Sequence, residues 1–383
     1  MPLRARSARA IVTAIADAAD RWNDADFPPR VRATRTIEAR TGYTTPVVEY
    51  ALDRLFFSIT REALEAAIAG ELGSLDALDG FVARRGRPDG YARGVERVIV
   101  VAADGTIGGA LVPALFALCA KSSVLIKDRD GTLAAAFLET LIEERPEFAE
   151  ALIVQPWRGT EDAREAAFLG AADAIVAIGP ARELATIRAL AAPGATFVPI
   201  GRCSSIGYFD AASIAHANRA ERRTLAEGIA RDALLYDGRG WCAFQALFVA
   251  NLDADPAFLG DLTGALERVA IEFPPAAPDG TGAPSPRVDL AASALAPPAD
   301  LPRVVCVYPV AERGDAAAFA ERHRLAVETL TVVDPGAPDA RALAETLGAV
   351  RLARFGTLHA PPLAGRQGGR ARIGDFIRWI DAE

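Results

Sequence analysis

The sequence predicts an α/β fold organised on a doubly wound, largely parallel sheet. Three observations predict it. Between residues 95 and 201, short apolar runs alternate with helix-length stretches. The first of these runs enters a glycine-rich turn and then a helix. A second set of strands and helices follows residue 240, entered through a glycine-loosened loop that carries a cysteine.

The 383 residues are enough for two domains and a sizeable core. Hydrophobic residues make up 51% and charged residues 24%, the balance of an ordinary globular chain. The net charge of −8, with no long basic run, argues against a nucleic-acid partner. No run approaches the ~20 apolar residues of a membrane span. Residues 1–7 are basic, but no apolar signal core follows them. The four cysteines, Cys119, Cys203, Cys242 and Cys306, are widely spaced and form no C-x-x-C pair. That usage predicts no disulfide framework, no zinc site and a reducing cytoplasm. His216, His323 and His359 do not cluster, so a histidine-based metal site is not expected.

Taken in order, residues 8–26 and 44–70 read as amphipathic helices, the second from Val47, Tyr50, Ala51, Leu55 and Ile59 at helical spacing. Residues 84–94 read as a turn-rich basic connector. The clearest α/β unit follows: a buried strand at 95–101, a glycine-rich turn at 102–109, a helix at 110–120 and a strand at 123–127. A helix at 132–144, a strand at 151–155, a helix at 160–169 and a strand at 174–179 continue it. Pro180 sits where a first helical residue belongs, and that helix runs to about 191. A strand at 196–201 leads into Arg202-Cys203-Ser204-Ser205. Strand, Gly-rich turn and helix make a candidate nucleotide site, because such a turn exposes backbone N–H groups at a positive helix end. The spacing is not G-x-G-x-x-G, so the turn alone is a weak signal. Lys127 at a strand end suits a ribose or phosphate contact and equally suits a solvated end.

A helix at 221–235 leads to Tyr236-Asp237-Gly238-Arg239-Gly240-Trp241-Cys242-Ala243-Phe244-Gln245 and an apolar strand at 246–250. Glycines 238 and 240 allow a sharp turn and close approach to a ligand. Cys242 there is either a nucleophile, since a thiolate attacks carbonyls well at neutral pH, or a small core residue before a strand. A helix at 255–270, an irregular Pro/Ala/Gly-rich segment at 273–300, strands at 304–310 and 326–333 around a helix at 314–322, and a final helix at 373–380 complete the reading.

The order of these stretches resembles the aldehyde dehydrogenase superfamily, and more closely the LuxC-type acyl-CoA reductases. The resemblance covers residues ~90–383 and is carried by Gly94 with the strand to Val101, the turn at 103–109 followed by Ser-Ser-Val-Leu-Ile-Lys127, residues 173–179, residues 197–208, the thiol loop, and Asp375-Phe376-Ile377-Arg378-Trp379. It implies an aldehyde dehydrogenase-like fold with N-terminal helices and connector (1–90) on the cofactor domain, a Rossmann-like dinucleotide domain (91–199), a catalytic thiol domain (200–352) and a C-terminal arm (353–383) that serves oligomerisation. It implies reduction of an acyl thioester, from acyl-CoA or an acyl carrier protein, to an aldehyde through a cysteine acyl-enzyme and NADP or NAD. By position, Cys242 is the nucleophile and Thr106 the oxyanion donor. Lys127 is the adenosine-ribose lysine, and Gly179 opens the pyrophosphate helix. Gly105 lies in the first turn. Asp130 would accept from a ribose 2′-hydroxyl and Arg129 would accommodate a 2′-phosphate, which leaves the choice of cofactor open. A homo-oligomer, and an acyl-transfer enzyme as a partner, are also implied.

This chain departs from the family pattern in four places. Pro199 stands where hydrolytic relatives carry a glutamate base. Thr106 replaces an asparagine, and a C-terminal His-Asp-Gly pattern reads Gln367-Gly368-Gly369. Aligned without gaps, the nucleophile position falls on Trp241, with Cys242 one residue late, and a one-residue slip turns a side chain to the opposite face unless a bulge restores it. Two readings follow: a reductase using Cys242, or a non-catalytic binding or scaffolding homologue with indole in the nucleophile's place. Cys119 and Cys306 read as structural. Cys203, after a strand-end glycine, is the next thiol to test.

Overall fold

The computed structural model describes residues 2–102, 107–127, 133–155, 163–201, 203–214, 216–238, 240, 242, 244–276, 285–291 and 301–383. The chain forms two units: residues 1–40, 48–201 and 362–383 make the first, and residues 41–47 and 202–361 the second.

In the first unit, helices α1 (Ala8–Arg21), α2 (Pro28–Thr41), α3 (Thr45–Ser58) and α4 (Arg61–Leu72) precede the sheets. The single helix expected over 44–70 is two. Thr60 stops the first and caps the second, its hydroxyl accepting from the Ala63 N–H at 3.1 Å. Trp22, fully buried, packs against Phe27, Phe56 and Phe137. Its indole N–H donates to the Thr140 hydroxyl, so the polar tip of the ring is satisfied inside the core.

The basic connector expected over 84–94 is a hairpin instead. Strands β1 (Val82–Arg84) and β2 (Arg87–Gly94) pair antiparallel. The parallel sheet follows, with β3 (Arg97–Val101), α5 (Leu111–Cys119), β4 (Ser123–Lys127), α6 (Leu133–Glu144), β5 (Leu152–Gln155), α7 (Ala163–Ala171), β6 (Ala174–Ile178), α8 (Ala181–Leu190) and β7 (Thr196–Ile200). The strand order is β5-β4-β3-β6-β7, all parallel. This is a doubly wound arrangement whose chain reverses direction beside β3. Ile99, Val101, Leu125, Ile175 and Ala177 pack against Leu169, Leu184 and Ile187. Pro180 is the residue before α8 rather than its first residue.

In the second unit, β8 (Ser204–Asp210), α9 (Ala211–Ile214), α10 (Arg219–Leu234), β9 (Phe244–Ala250), α11 (Phe258–Glu272), β10 (Arg287–Leu290), β11 (Val304–Val310), α12 (Arg313–Arg322), β12 (Val327–Val332), α13 (Pro338–Leu347) and β13 (Arg351–Arg354) follow. Six parallel strands run in the order β10-β11-β9-β8-β12-β13. Their core includes Ile206, Phe248, Tyr308, Phe319 and Leu330. Strand β10 lies inside the segment expected to be irregular, and β8, α13 and β13 had no counterpart in the sequence reading.

The final helix expected over 373–380 is a strand. Ile373, Phe376, Ile377 and Ile380 fall at helical spacing, but β14 (Ile377–Ala382) pairs antiparallel with β2 of the first unit, from Ile377↔Gly94 to Ala382↔Asp89. Pairing with a waiting edge overrides the local period. No described helix is long and apolar enough to cross a membrane.

Candidate active site

Of the candidate cofactor residues in the first unit, Lys127 and Gly179 are described, each at the carboxyl end of a strand of the parallel sheet. Lys127 is the last residue of β4, in register with Val101 of β3 and Gln155 of β5. It is not a solvated strand end: only 4% of it is exposed, and its Nζ donates to Oε1 of Glu165 at 2.5 Å. Glu165, in the first turn of α7, is 1% exposed, and its Oε2 has no hydrogen-bond partner. Gly179 follows β6, and its N–H donates to the Ile200 carbonyl at 3.1 Å, so that N–H is already committed to the sheet. Pro180, at the N-cap of α8, has no side chain to cap it, and Glu183 lies in the first turn. Gly105, Thr106, Arg129 and Asp130 lie outside the described residues.

In the second unit, two thiols meet at the amino ends of adjacent strands. Cys203 precedes β8 and Cys242 precedes β9, which pair in parallel with Ser205 opposite Phe244. Their sulfurs are 3.8 Å apart. Cys242 is buried and Cys203 half-buried. Cys119, whose thiol burial pushes up to about 12, and Cys306 are both buried, Cys119 in α5 and Cys306 in the β11 core. Trp241 lies outside the described residues.

The chain reaches Cys242 through a strained turn. Tyr236, Asp237 and Gly238 all adopt positive φ, 59°, 52° and 71°. Two successive non-glycine residues in that region need surroundings that hold them there. Asp237 supplies one support: its carboxylate accepts from the buried Arg303 guanidinium at 2.7 Å and from the Ala276 N–H at 2.9 Å. The Tyr236 ring supplies another, edge-on to His359 and tilted on Tyr43. Gly240 lies close beside it, where a Cβ would stand 3.0 Å from the Tyr236 ring.

The sequence reading missed Glu328 and Arg351, whose charges act on this thiol, and the buried Asp232 and His359. Glu328 is buried in β12, at a shift in register between Val327 and Thr329 opposite β8. A bulge of that kind re-aims a side chain. Arg351, first in β13, donates to the Thr357 and Leu358 carbonyls at 2.6 and 2.9 Å. Asp232 of α10 accepts from the Gly356 and Leu358 N–H groups at 2.8 and 3.0 Å. Burial pushes its carboxyl up to about 7, while those two bonds and Arg351 act the other way. His359 meets the Asp232 carbonyl at 3.0 Å, and burial pulls it down to about 4. The hydrogen bond with Cys203, then burial, then the charge of Glu328 push the Cys242 thiol well above its ordinary value, against the opposing pull of Arg351. A lone acid in the apolar run Ala-Val-Glu-Thr-Leu-Thr-Val-Val was the one signal that could have found Glu328. Among the described residues no group of three His, Cys, Asp or Glu side chains could hold a metal.

A family model described as acyl-CoA reductase (LuxC) matches residues 3–295. The chain belongs to the LuxC acyl-CoA reductase family. No curated protein matches it. Among solved structures, this LuxC-family chain is similar to an acetylating aldehyde dehydrogenase from Geobacillus thermoglucosidasius, at 12% identity and TM-score 0.70, over 100% of this chain and 93% of that one. It is similar to the aldehyde dehydrogenase KauB from Pseudomonas aeruginosa, at 14% identity and TM-score 0.69, over 100% and 86%. A mutant of proline utilization A from Bradyrhizobium japonicum matches at 15% identity and TM-score 0.70, over 99% of this chain but 43% of that one. The chain therefore spans less than half of that protein. At such identities the likeness shows the fold, which is that of the aldehyde dehydrogenases, as the LuxC resemblance in the sequence implied.

Proposed function

We propose that this LuxC-family chain reduces an acyl thioester, carried by coenzyme A or an acyl carrier protein, to an aldehyde through an acyl group on Cys242. The observation that supports this reading is the placement of Cys242: a thiol just before β9, delivered by a strained turn and acted on by the Arg351 charge, in a chain of acyl-CoA reductase family. The Cys242 sulfur attacks the thioester carbonyl, the carbon–sulfur bond to the carrier breaks, and the carrier thiol leaves with the proton that Cys242 gives up. Arg351 favours the anionic sulfur. Thr106 remains the proposed oxyanion donor. Pro199, exposed on β7, has no group with which to activate water, which suits transfer between thiols rather than hydrolysis.

A nicotinamide dinucleotide fits the residues present in the first unit. Lys127 and the orphaned Glu165 oxygen offer a donor and an acceptor at the end of the second strand of the sheet, where a ribose belongs. Gly179, just before α8, is the proposed diphosphate position, with the negative charge of Glu183 in the first turn of that helix set against it. When bound in reduced form, that cofactor supplies the hydride that turns the acyl group into aldehyde. Gly105, Arg129 and Asp130 belong to the same proposed site. Cytoplasmic location and a homo-oligomer, with an acyl-transfer enzyme as partner, complete the proposal. A monomer mass by light scattering at micromolar concentration would count against the oligomer.

One observation favours the second reading, a non-catalytic homologue with Trp241 in the nucleophile's place. The Cys242 thiol is pushed up, the reverse of what an activated cysteine needs. Acyl-adduct mass after exposure to acyl-CoA decides. An adduct on the unmodified chain that vanishes in Cys242→Ser supports the reductase. An adduct seen only in Trp241→Cys leaves the scaffold reading standing.

A further inference from the structure

Acyl transfer of the kind proposed for Cys242 needs one sulfur, and the second unit places two in contact. Cys203 has no part in that chemistry, and its position says what it can do. Ser205 of β8 pairs with Phe244 of β9, and Cys203 and Cys242 each stand two residues before one of them. The two cysteines therefore lie opposite one another, just ahead of adjacent parallel strands. Neighbouring strands run about 4.8 Å apart, inside the range of about 4.4–6.8 Å that separates the α-carbons of a disulfide. The sulfurs already stand 3.8 Å apart, and a bond needs them at ~2 Å. The two thiols also differ in access: Cys203 is half-buried and Cys242 is buried. A small oxidant thus meets the Cys203 sulfur first.

We infer that Cys203 and Cys242 form a redox modification site, in which Cys203 takes up a peroxide and Cys242 resolves it as a reversible disulfide that suspends acyl transfer. The suspension rests on the proposed role of Cys242, whereas the disulfide does not. With hydrogen peroxide, the Cys203 sulfur takes one oxygen and becomes a sulfenic acid, and water leaves. The Cys242 sulfur then attacks the Cys203 sulfur. The sulfur–sulfur bond forms, the sulfur–oxygen bond breaks, and the hydroxyl departs as water with the Cys242 proton. The two thiols together lose two electrons, and the peroxide is reduced to water. A dithiol reductant reverses the change by exchange. Stopping at the disulfide keeps the pair from the sulfinic acid that thiols do not reverse. In a reducing compartment such a bond is transient, which suits a signal rather than a structural cross-link.

Intact mass and peptide mapping after exposure to hydrogen peroxide test it without relying on turnover. The unmodified protein should lose two mass units through a link between residues 203 and 242, and dithiothreitol should return them. In a Cys242→Ser protein with native circular dichroism, Cys203 has no resolving sulfur and should instead gain about 32 mass units that dithiothreitol does not remove. An unchanged mass in the unmodified chain, a gain of oxygen there in place of the link, or a link through Cys119 or Cys306 overturns the inference. So does a Cys242→Ser protein in which Cys203 stays unoxidised. Octanoyl-CoA then reads the consequence. The linked chain should form no acyl adduct, and reduction should restore the adduct of the untreated protein. An adduct that still forms on the linked chain overturns the suspension of acyl transfer. No adduct on the untreated protein removes the acyl-transfer reading and the suspension with it, while the disulfide stands on its mass.

Discussion

Asp232→Asn should change how stability depends on pH, and the structure gives the size. The Asp232 carboxyl is pushed from its ordinary 3.8 up to about 7 by burial. Below about pH 4 both folded and unfolded chains carry the proton, and the folded state bears no penalty from this group. As pH rises, the unfolded chain loses its proton first, so stability falls until the folded carboxyl also ionises near 7. At about 1.4 kcal/mol per unit, the full shift is a ceiling of ~4 kcal/mol, of which ~2–3 kcal/mol falls between about pH 5 and pH 8. An asparagine has no such titration. His359, pulled down to about 4, acts in the opposite direction over the lower part of this range, but it is present in both proteins and cancels in their difference. Urea unfolding of the second unit at several pH values, followed by near-ultraviolet circular dichroism, is the assay. The variant should gain ~2–3 kcal/mol on the unmodified protein between the two ends of the series. Curves that stay parallel to within ~0.5 kcal/mol would refute the assignment of a buried, protonated Asp232.

Two further outcomes follow from the same geometry. A Cβ on residue 94 would stand 1.7 Å from the Ala120 carbonyl oxygen, so Gly94→Ala must move backbone and should cost at least ~2 kcal/mol by urea denaturation, where no change in midpoint would contradict the packing. The sulfurs of Cys203 and Cys242, 3.8 Å apart, need to close only to ~2 Å to bond, so a thiol oxidant such as diamide should remove two mass units from the unmodified chain and none from Cys203→Ser, and an unchanged mass in both would show that the strand ends do not permit the bridge.

The parallel sheet of the first unit was legible because its central strands β3, β4 and β6 are buried along nearly their whole length. Such strands read as continuous apolar runs, and those read at 95–101, 123–127, 151–155, 174–179 and 196–201 correspond to β3 to β7. Strand β14 was not legible, because Ile373, Phe376, Ile377 and Ile380 imitate a helix and only the partner β2 settles the matter. At the thiol, sequence supplied Cys242 and named Cys203 as the next candidate, since a glycine-rich approach to an apolar run is a local pattern. It did not supply Glu328, Arg351, Asp232 or His359. Each of these bears on the thiol loop only through folding, from the far side of a sheet strand or from a helix many residues away. Glu165 was invisible for the same reason: nothing in the sequence around α7 indicates that a lysine 38 residues earlier ends beside it.

The return of β14 to β2 has a consequence for synthesis. While the chain is being made, β2 has β1 on one side and an open row of peptide groups on the other until residues 377–382 appear. Glu71 waits as well, because the three N–H groups that its carboxylate accepts belong to Arg372, Ile373 and Gly374. The second unit lies wholly upstream of those residues and has its complete set of strands first. An open, pairing-competent edge on a nascent chain is a site at which two copies can join wrongly. The first unit to begin emerging from the ribosome is thus the last to be finished, and β2 is the edge a chaperone would have reason to cover.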